Sequence, residues 1–369
     1  MAIEYHSLGA QKKVNEIVML GSHDAAITSG GIRARTQNKS IYHQAKCGVR
    51  IFDVRISGQR TGHGGAKLSA FHGKNTPEMK SKTVGGVTRN IEVTRMVLGD
   101  WGMDLDDILD GAKRFVDKYQ TEFLILKFDK SANYELILEA CQNKLGNRIY
   151  KKAGNLANHT LSEMAGKVVC AFMPDGFAAL SHAGLTIADG AAQIVSLYPH
   201  GTVPDTINGL IYYGKGGTSI TQPSEYALKA PVKGKFLENI DKQRRILGDA
   251  NTAHYSRDVL RMMYWTQTGM VRSIKGRDKK AWTTGSKQRL KSLWAEGGYN
   301  YLNNNVPEAF PMDSHATNFQ IYLPNFIMVD FADEHKGQTV YDLNLLTRAE
   351  IVQLNGSIDQ PGNTVGFNV

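Results

Sequence analysis

Short apolar runs alternate with amphipathic helical patterns through most of this chain, and no other feature restricts its fold as strongly. Helical spacing of apolar residues predicts helices over 105–119 and 133–145. The runs that we predict as strands are 17–20, 48–56, 122–128, 166–172, 192–197, 262–268 and 326–331. Strand, helix and strand in repeated order are typical of parallel βαβ units.

The repeated order favours one domain rather than two. No linker rich in Pro or Ser divides the 369 residues, and the sequence contains no internal repeat. We therefore predict an α/β fold of one domain over 1–369, a TIM-like (β/α) barrel that is either closed or irregular and incompletely closed. Its core is expected over about 16–332, followed by a C-terminal helix and tail over 333–369. The polar, basic and Gly-rich stretches 215–249 and 269–291 are predicted to be long loop insertions, or helices packed outside the sheet.

The charge balance favours an anionic partner. Lys and Arg number 44 and Asp and Glu number 35, which gives a formal net charge of +9. Such a surplus suits a nucleic acid, an acidic membrane surface or a phosphorylated ligand. A nucleic acid is not expected, because no zinc-ligand spacing, RNP-like aromatic strand or helix-turn-helix pattern accompanies the charge. The cysteines Cys47, Cys141 and Cys170 are far apart, and we predict reduced thiols rather than disulfides or a zinc site.

The N-terminal residues carry no recognisable signal for secretion. Residues 1–21 lack a long apolar run after their charges, so a cleavable signal peptide is not expected. No stretch approaches the roughly 20 apolar residues of a membrane span. We expect a soluble monomer that is made in the cytoplasm and either stays there or is exported without a Sec signal peptide.

Polar residues suited to catalysis lie where several of the predicted strands end. The carboxyl ends of barrel strands form one rim, and barrel enzymes hold their chemistry there. A further pair, His72 and Gly73, follows the short apolar run 68–71. The candidates at the strand ends are His23, Asp24, Asp53, Arg55, Lys127 and Asp330.

Two histidines and an arginine at one rim indicate a particular chemistry. Two imidazoles can act as base and acid in a single displacement, because their pKa lies near working pH. Each imidazole needs a carboxylate that holds its tautomer. A guanidinium between them can bind a phosphate through two hydrogen bonds. The set of His23, His72 and Arg55 is therefore typical of phosphodiester cleavage without a metal.

Less specific interpretations of the same residues stay open at this point. His63 lies in the same stretch as His72 and competes with it for the role of acid. An Asp after a strand, such as Asp24, is as typical of a helix cap as of catalysis. Lys127 and Asp129 are also typical of a surface pair at a strand end.

Five short segments carry a family resemblance. They are GSHDAA at 21–26, GVRIFDVR at 48–55, FHG at 71–73, the helix and strand of 105–128, and PNFIMVDF at 324–331. In this order they resemble the successive signatures of the X domain of phosphatidylinositol-specific phospholipase C. Each segment alone has low specificity, whereas five in the family's order indicate the superfamily of PLC-like phosphodiesterases.

The resemblance implies a role for each matching residue. His23 matches the general base that acts on the inositol 2-hydroxyl, and Asp330 matches the carboxylate that orients this base. His72 matches the general acid that protonates the departing lipid alkoxide, and Asp24 matches the carboxylate paired with that acid. Asp53 matches an acid at the rim of the second strand and is expected to bind substrate.

Arg55 makes the chain similar to one branch of the family. In the animal branch the second strand ends in two acids that bind calcium, whereas this chain reads DVR at 53–55. A guanidinium cannot ligate a metal, but it can supply positive charge beside a phosphate. The resemblance is therefore to the metal-independent, bacterial branch, and no cofactor is expected. Lys127 resembles the cation of the central strand that contacts the headgroup, and Tyr264 and Trp265 are candidates for lining the ring site.

The resemblance implies a phospholipase C that acts on phosphatidylinositol-type phospholipids at an anionic membrane surface. Attack by the substrate's own hydroxyl would give a cyclic inositol phosphate and diacylglycerol. The basic stretches 213–249 and 268–291 would favour an anionic bilayer. Two alternatives stay open: the same chemistry on another phospholipid or a glycerophosphodiester, and a non-catalytic lipid-binding protein on the same fold.

Overall fold

Eight parallel strands close a barrel at the centre of the molecule. The computed structural model describes residues 2–32, 34–62, 65–84, 87–199, 201–215, 243, 246, 258–266, 274–282 and 324–346. Its strands in chain order are β1 (Met19–Ser22), β2 (Val49–Val54), β3 (Ile56–Arg60), β4 (Ala66–Val84), β5 (Val87–Asp104), β6 (Leu124–Phe128), β7 (Val168–Phe172), β8 (Ala191–Ser196), β9 (Gly209–Tyr213), β10 (Leu260–Trp265) and β11 (Phe326–Val329). Strand β1 pairs with β11 and with β2, so the order β1-β11-β10-β9-β8-β7-β6-β2 returns to its start. The predicted α/β barrel is confirmed, in its closed form.

Strand β9 is the barrel strand that the sequence did not indicate. Its run GLIYY is only five residues long and follows the stretch 198–208, which is rich in Pro, Gly and polar residues and is typical of a loop. The seven predicted strands all belong to the barrel and lie within the predicted core of 16–332. A helix begins at Glu334, close to the predicted start of the C-terminal helix. The extent of the domain beyond residue 346 stays a prediction.

Helices pack against the outer face of the barrel. In chain order they are α1 (Ile41–Lys46), α2 (Leu105–Lys118), α3 (Tyr134–Leu145), α4 (Leu161–Met164), α5 (Pro174–His182), α6 (Ile274–Ala281) and α7 (Glu334–Asp342). Helix α2 buries the apolar face that the spacing predicted, including Ile108, Phe115 and Val116. Helix α6 lies within 269–291, while most of 215–249 lies outside the described residues. None of the helices in the described part of the chain combines the length and apolar character that crossing a bilayer requires.

Alternation along the strands separates a core inside the barrel from a core outside it. On β2, Ile51 belongs to the inner cluster, whereas Phe52 packs among the residues between strands and helices. Successive side chains of a strand point to opposite faces. Asp53 therefore lies on the inner face, and its partner in register on β6 is Lys127. The strands thus bring two charged residues to the inside of the barrel, near their carboxyl ends.

A three-stranded sheet is inserted between β2 and α2. Strand β4 pairs antiparallel with both β3 and β5, and β4 and β5 form a long hairpin. His72 lies within β4, opposite Asp100 of β5, so it does not follow the end of a barrel strand. His72 therefore reaches the site from the inserted sheet, whereas His23, Asp53 and Asp330 come from barrel strands or from the residue after one. The N–H of Phe71 donates to the carbonyl oxygen of Arg55 at 3.0 Å, which joins the inserted sheet to the end of β2.

Candidate active site

The end of the first strand supplies two residues of the site. The N–H of His23 donates to the carbonyl oxygen of Val329 at 3.0 Å, which holds β1 against β11. The ring Nδ1 of His23 donates to Oδ1 of Asp330 at 2.9 Å, and both residues are buried. Asp24 follows with a φ of +42°, a left-handed conformation that residues other than Gly rarely adopt. The hydroxyl of Thr36 donates to the Asp24 carbonyl oxygen at 2.8 Å and supports this turn.

Asp24 is the carboxylate on which the site converges. Its Oδ2 accepts a hydrogen bond from Nδ1 of His72 at 2.8 Å and lies 3.5 Å from Nε2 of His23. Its Oδ1 lies 3.3 Å from a terminal nitrogen of Arg55. Burial opposes ionisation, but Arg55 and His23 outweigh it and hold the pKa of Asp24 well below its usual range. The carboxylate is therefore a fixed negative charge that links both imidazoles to the guanidinium.

The two imidazoles differ in their exposure to solvent. The side chain of His23 is 10% exposed and that of His72 is 25% exposed. Burial lowers the pKa of His23, but the carboxylates of Asp24 and Asp330 outweigh it and raise this pKa to about 9. His23 is therefore a buried base of raised proton affinity. His72 lies nearer to solvent, where a departing group can take up a proton.

Arg55 keeps hydrogen-bond donors for a ligand. The carboxylate of Asp24 raises the pKa of Arg55 further above its ordinary value, so the guanidinium is permanently charged. Its Nε is buried and has no hydrogen-bond partner among the described residues. Because one terminal nitrogen faces Asp24, the rest of the planar fork can bind the oxygens of a phosphate.

A second group of charges lies just inside the strand ends. The ammonium of Lys127 donates to Oδ1 of Asp53 at 3.0 Å and lies 3.4 Å from Oδ2 of Asp129. Lys127 is only 1% exposed, so the interpretation as a surface pair is wrong. Burial lowers the pKa of Lys127, but Asp53 outweighs it and raises this pKa well above its ordinary value. The ammonium therefore stays charged inside the barrel.

One of the two aromatic candidates faces this interior. The ring of Tyr264 packs edge-on against the ring of His23, with 6.0 Å between their centroids. Trp265, the next residue of β10, belongs to the cluster between the strands and the helices. The prediction that Trp265 lines the ring site is therefore wrong, because successive side chains of a strand point to opposite faces. His63, the competitor for the role of acid, lies outside the described residues.

Gln37 supports the site, although nothing in the sequence pointed to it. Its amide nitrogen donates to the carbonyl oxygens of His23 at 3.0 Å and Val329 at 3.1 Å. Its Oε1 accepts a hydrogen bond from the N–H of Ala332 at 2.9 Å. One buried amide thus joins the ends of β1 and β11. A single Gln in the irregular segment before α1 forms no pattern that would distinguish it.

Three residues of the site offer ligand atoms for a cation. The donor atoms of His23, Asp24 and Asp53 all lie within 4.8 Å of one another. Two fixed cations already lie beside these carboxylates, Arg55 at Asp24 and Lys127 at Asp53. Calcium takes about six to eight oxygen ligands, and a divalent ion here would face two positive charges at close range. The donor set therefore does not fit calcium.

Comparisons with known proteins identify the fold. No protein-family model and no curated protein matches the sequence. The structure is similar to a phosphatidylinositol-specific phospholipase C from Staphylococcus aureus, with a TM-score of 0.50, 18% identity, and 92% of this chain and 96% of that chain covered. A double mutant of that enzyme matches with a TM-score of 0.51, 18% identity, and 92% and 95% covered. The enzyme from Listeria monocytogenes matches with a TM-score of 0.49, 14% identity, and 92% and 97% covered. The two matches to the Staphylococcus aureus enzyme show that the chain has the barrel fold of a bacterial phosphatidylinositol-specific phospholipase C.

Proposed function

We propose that this chain is a phosphodiesterase of the phospholipase C type that cleaves phosphatidylinositol-type phospholipids. The convergence of His23, His72 and Arg55 on the buried carboxylate of Asp24 carries this proposal. A base, an acid and a permanent cation side by side are the groups that displacement at a phosphodiester needs. The shared barrel fold supports the same class of reaction.

The first step is attack by a hydroxyl of the substrate itself. Nδ1 of His23 is engaged by Asp330, so Nε2 accepts the proton of the inositol 2-hydroxyl. The hydroxyl oxygen bonds to phosphorus while the bond between phosphorus and the glycerol oxygen breaks. Asp330 stabilises the imidazolium that results. The product that keeps the phosphorus is a cyclic inositol phosphate.

His72 supplies the proton that the leaving group requires. Its Nδ1 is bound to Asp24, which leaves Nε2–H for donation to the alkoxide of diacylglycerol. Arg55 binds the two oxygens of the phosphate that do not react and stabilises their charge in the transition state. One proton passes from the inositol to His23 and one passes from His72 to diacylglycerol, so the reaction is balanced.

We place the binding site for the inositol headgroup in the barrel interior, beside Arg55. Lys127 and Asp53 together offer donors and an acceptor for ring hydroxyls, and Tyr264 packs against the base. Arg55 and Lys127 supply positive charge that a metal would otherwise supply. We therefore expect the reaction to proceed without calcium or any other cofactor.

The substrate lies in a bilayer, so we expect the protein to act as a peripheral protein at an anionic membrane surface. We also expect it to be a monomer. The formal net charge of +9 supports attraction to such a surface. Each Lys or Arg near an anionic membrane contributes about 1 kcal/mol.

Vesicles that contain phosphatidylinositol test the proposal. We expect release of diacylglycerol, a cyclic phosphodiester in the phosphorus NMR spectrum, and no effect of EDTA. His72→Ala is expected to lower kcat by about 100-fold or more, whereas His182→Ala, an exposed histidine at the end of α5, is expected to leave it unchanged. Cleavage only of another phospholipid or of a glycerophosphodiester would overturn the assigned substrate. Vesicle binding without cleavage would indicate a lipid-binding protein.

A further inference from the structure

The turn that follows β11 has an unusual backbone. Phe331 has a φ of +46°, a left-handed conformation that is unfavourable for a bulky side chain. The preceding residue is Asp330, whose carboxylate binds His23. Such a conformation persists only where the surrounding structure holds it, so this turn needs contacts from other elements.

The segment before α1 supplies some of these contacts, since the N–H of Phe331 donates to the carbonyl oxygen of Thr36 at 2.7 Å, and Lys336 of α7 supplies others. Its ammonium donates to the carbonyl oxygens of Asp330 at 2.6 Å and Phe331 at 2.8 Å. It also donates to Oδ2 of Asp278 on α6 at 2.6 Å. An ammonium carries three hydrogens, so all of them are used. Lys336 is 2% exposed, and burial of a charge is costly unless the charge is compensated in this way.

The carboxylate of Asp330 has little support of its own. Its Oδ1 binds His23, whereas its Oδ2 is buried and has no hydrogen-bond partner among the described residues. A side chain with one directional contact takes its position from the backbone that carries it. Since Lys336 binds the carbonyl oxygen of the same residue, the ammonium fixes the point from which the carboxylate reaches the imidazole.

We propose that Lys336 is a positioning residue for the pair of Asp330 and His23, with Asp278 of α6 as its counter-ion. This inference rests on the proposed function, because it assumes that His23 is the base. Lys336 and Asp278 act through Asp330 and touch no substrate. Helix α6, which lies between β10 and β11 in the chain, thereby contributes a group on which the base depends.

Arg50 provides a matched control for a role in stability alone. Like Lys336, it is a buried cation that binds a carboxylate, that of Glu122 at 2.7 Å. It also donates to the carbonyl oxygens of Ala45 at 3.0 Å and Val49 at 2.9 Å. Arg50 lies near the amino end of β2, whereas the site lies at the carboxyl ends of the strands. Its loss should therefore affect folding without affecting His23.

The test measures catalysis and the ionisation of His23 separately. Lys336→Met removes the ammonium and keeps most of the alkyl chain. With phosphatidylinositol vesicles, we expect kcat to fall by about 10- to 100-fold while KM changes by less than about twofold. We expect NMR titration to show a lower pKa for His23, because a loosely held Asp330 stabilises the imidazolium less. Arg50→Met is expected to lower Tm and to leave kcat and the pKa of His23 unchanged.

The possible results separate this inference from the proposed function. Wild-type kcat and a wild-type pKa of His23 in Lys336→Met would overturn the inference, whatever the change in Tm. If that variant does not fold, Asp278→Asn decides, because it keeps an acceptor for Lys336 and removes the counter-charge. A smaller fall in kcat and a smaller decrease in the pKa of His23 in Asp278→Asn support the inference, whereas an unchanged kcat and pKa overturn it. If the native protein cleaves no phosphatidylinositol, the NMR titration still tests the link between Lys336 and His23.

Discussion

His23 and Asp330 lie side by side just after the ends of the neighbouring strands β1 and β11, although 307 positions separate them in the chain. The pairing of Ser22 with Val329 places the next residue of each strand side by side, at the seam between the first and the last strand. The hydrogen bond between the imidazole and the carboxylate therefore forms only when the barrel is closed. Completion of the fold and the pairing of His23 with its carboxylate therefore depend on the same seam.

Asp330→Asn tests how the carboxylate controls the base. Asn keeps the size of the side chain but removes a charge that helps to raise the pKa of His23 to about 9. A base accepts a proton only when it is neutral, so activity is lost as the pH falls through this pKa. We expect kcat to fall by about 100- to 10,000-fold and the acid limb of the kcat/KM profile to move to lower pH. An acid limb that stays in place would show that Asp330 does not control the ionisation of His23.

Arg55→Lys tests whether a planar cation replaces a metal. Lysine keeps the charge but loses the fork that binds two phosphate oxygens. We expect kcat to fall by about 100- to 1,000-fold, as for the loss of one donor to a developing charge. Initial rates are measured with EDTA and with added calcium, and neither should change the native rate. Native activity that EDTA abolishes and calcium restores would contradict the role given to Arg55.

The role of His72 can be tested by changing the leaving group. An inositol phosphodiester with a nitrophenyl leaving group needs no protonation as its bond to phosphorus breaks. We expect His72→Ala to lower kcat by about 100- to 10,000-fold on phosphatidylinositol and by less than about tenfold on the nitrophenyl substrate. His63→Ala is compared on both substrates. An equal loss of kcat on both substrates in His72→Ala would show that His72 is not the acid. A loss confined to phosphatidylinositol in His63→Ala would assign the acid to His63.

Lys127→Met tests the charge pair inside the barrel. The ammonium of Lys127 lies 3.0 Å from the carboxylate of Asp53. Its removal leaves that buried carboxylate without its partner. Breaking a buried pair on one side costs about 3–5 kcal/mol, and we expect a loss of that size in the free energy of unfolding, measured with urea. The double variant Lys127→Met with Asp53→Leu should regain stability. A double variant no more stable than the single one would show that the two charges are not coupled.

The strand-end residues were predictable because the barrel strands that carry them are visible apolar runs. His23, Asp53 and Asp330 could be placed at one rim from the ends of these runs alone, since parallel strands in a barrel end on the same side. Trp265 was assigned to the wrong face, although the period of two along a strand separates it from Tyr264. Adjacent residues of a strand face opposite sides of the sheet, so Tyr264 and Trp265 cannot both line the interior.

The inserted sheet and the supporting contacts were not predictable in the same way. Strands β4 and β5 carry polar and charged residues along most of their length, so the short apolar run 68–71 did not reveal two long strands. Gln37 and Lys336 act through hydrogen bonds to backbone carbonyl oxygens. Such contacts depend on where distant segments of the chain meet, so residue type and spacing do not predict them.

Because His72 lies on the inserted sheet, the site is built from two structural units, the barrel and that sheet. In the proposed mechanism the barrel strands carry the groups that activate the nucleophile and bind the phosphate, whereas β4 carries His72, the acid for the departing alcohol. The two units meet at Asp24, through the hydrogen bond to His72. A change in the register or length of the hairpin would re-aim the acid while the barrel stays intact. Selectivity for the leaving group can therefore evolve, or be engineered, independently of headgroup recognition.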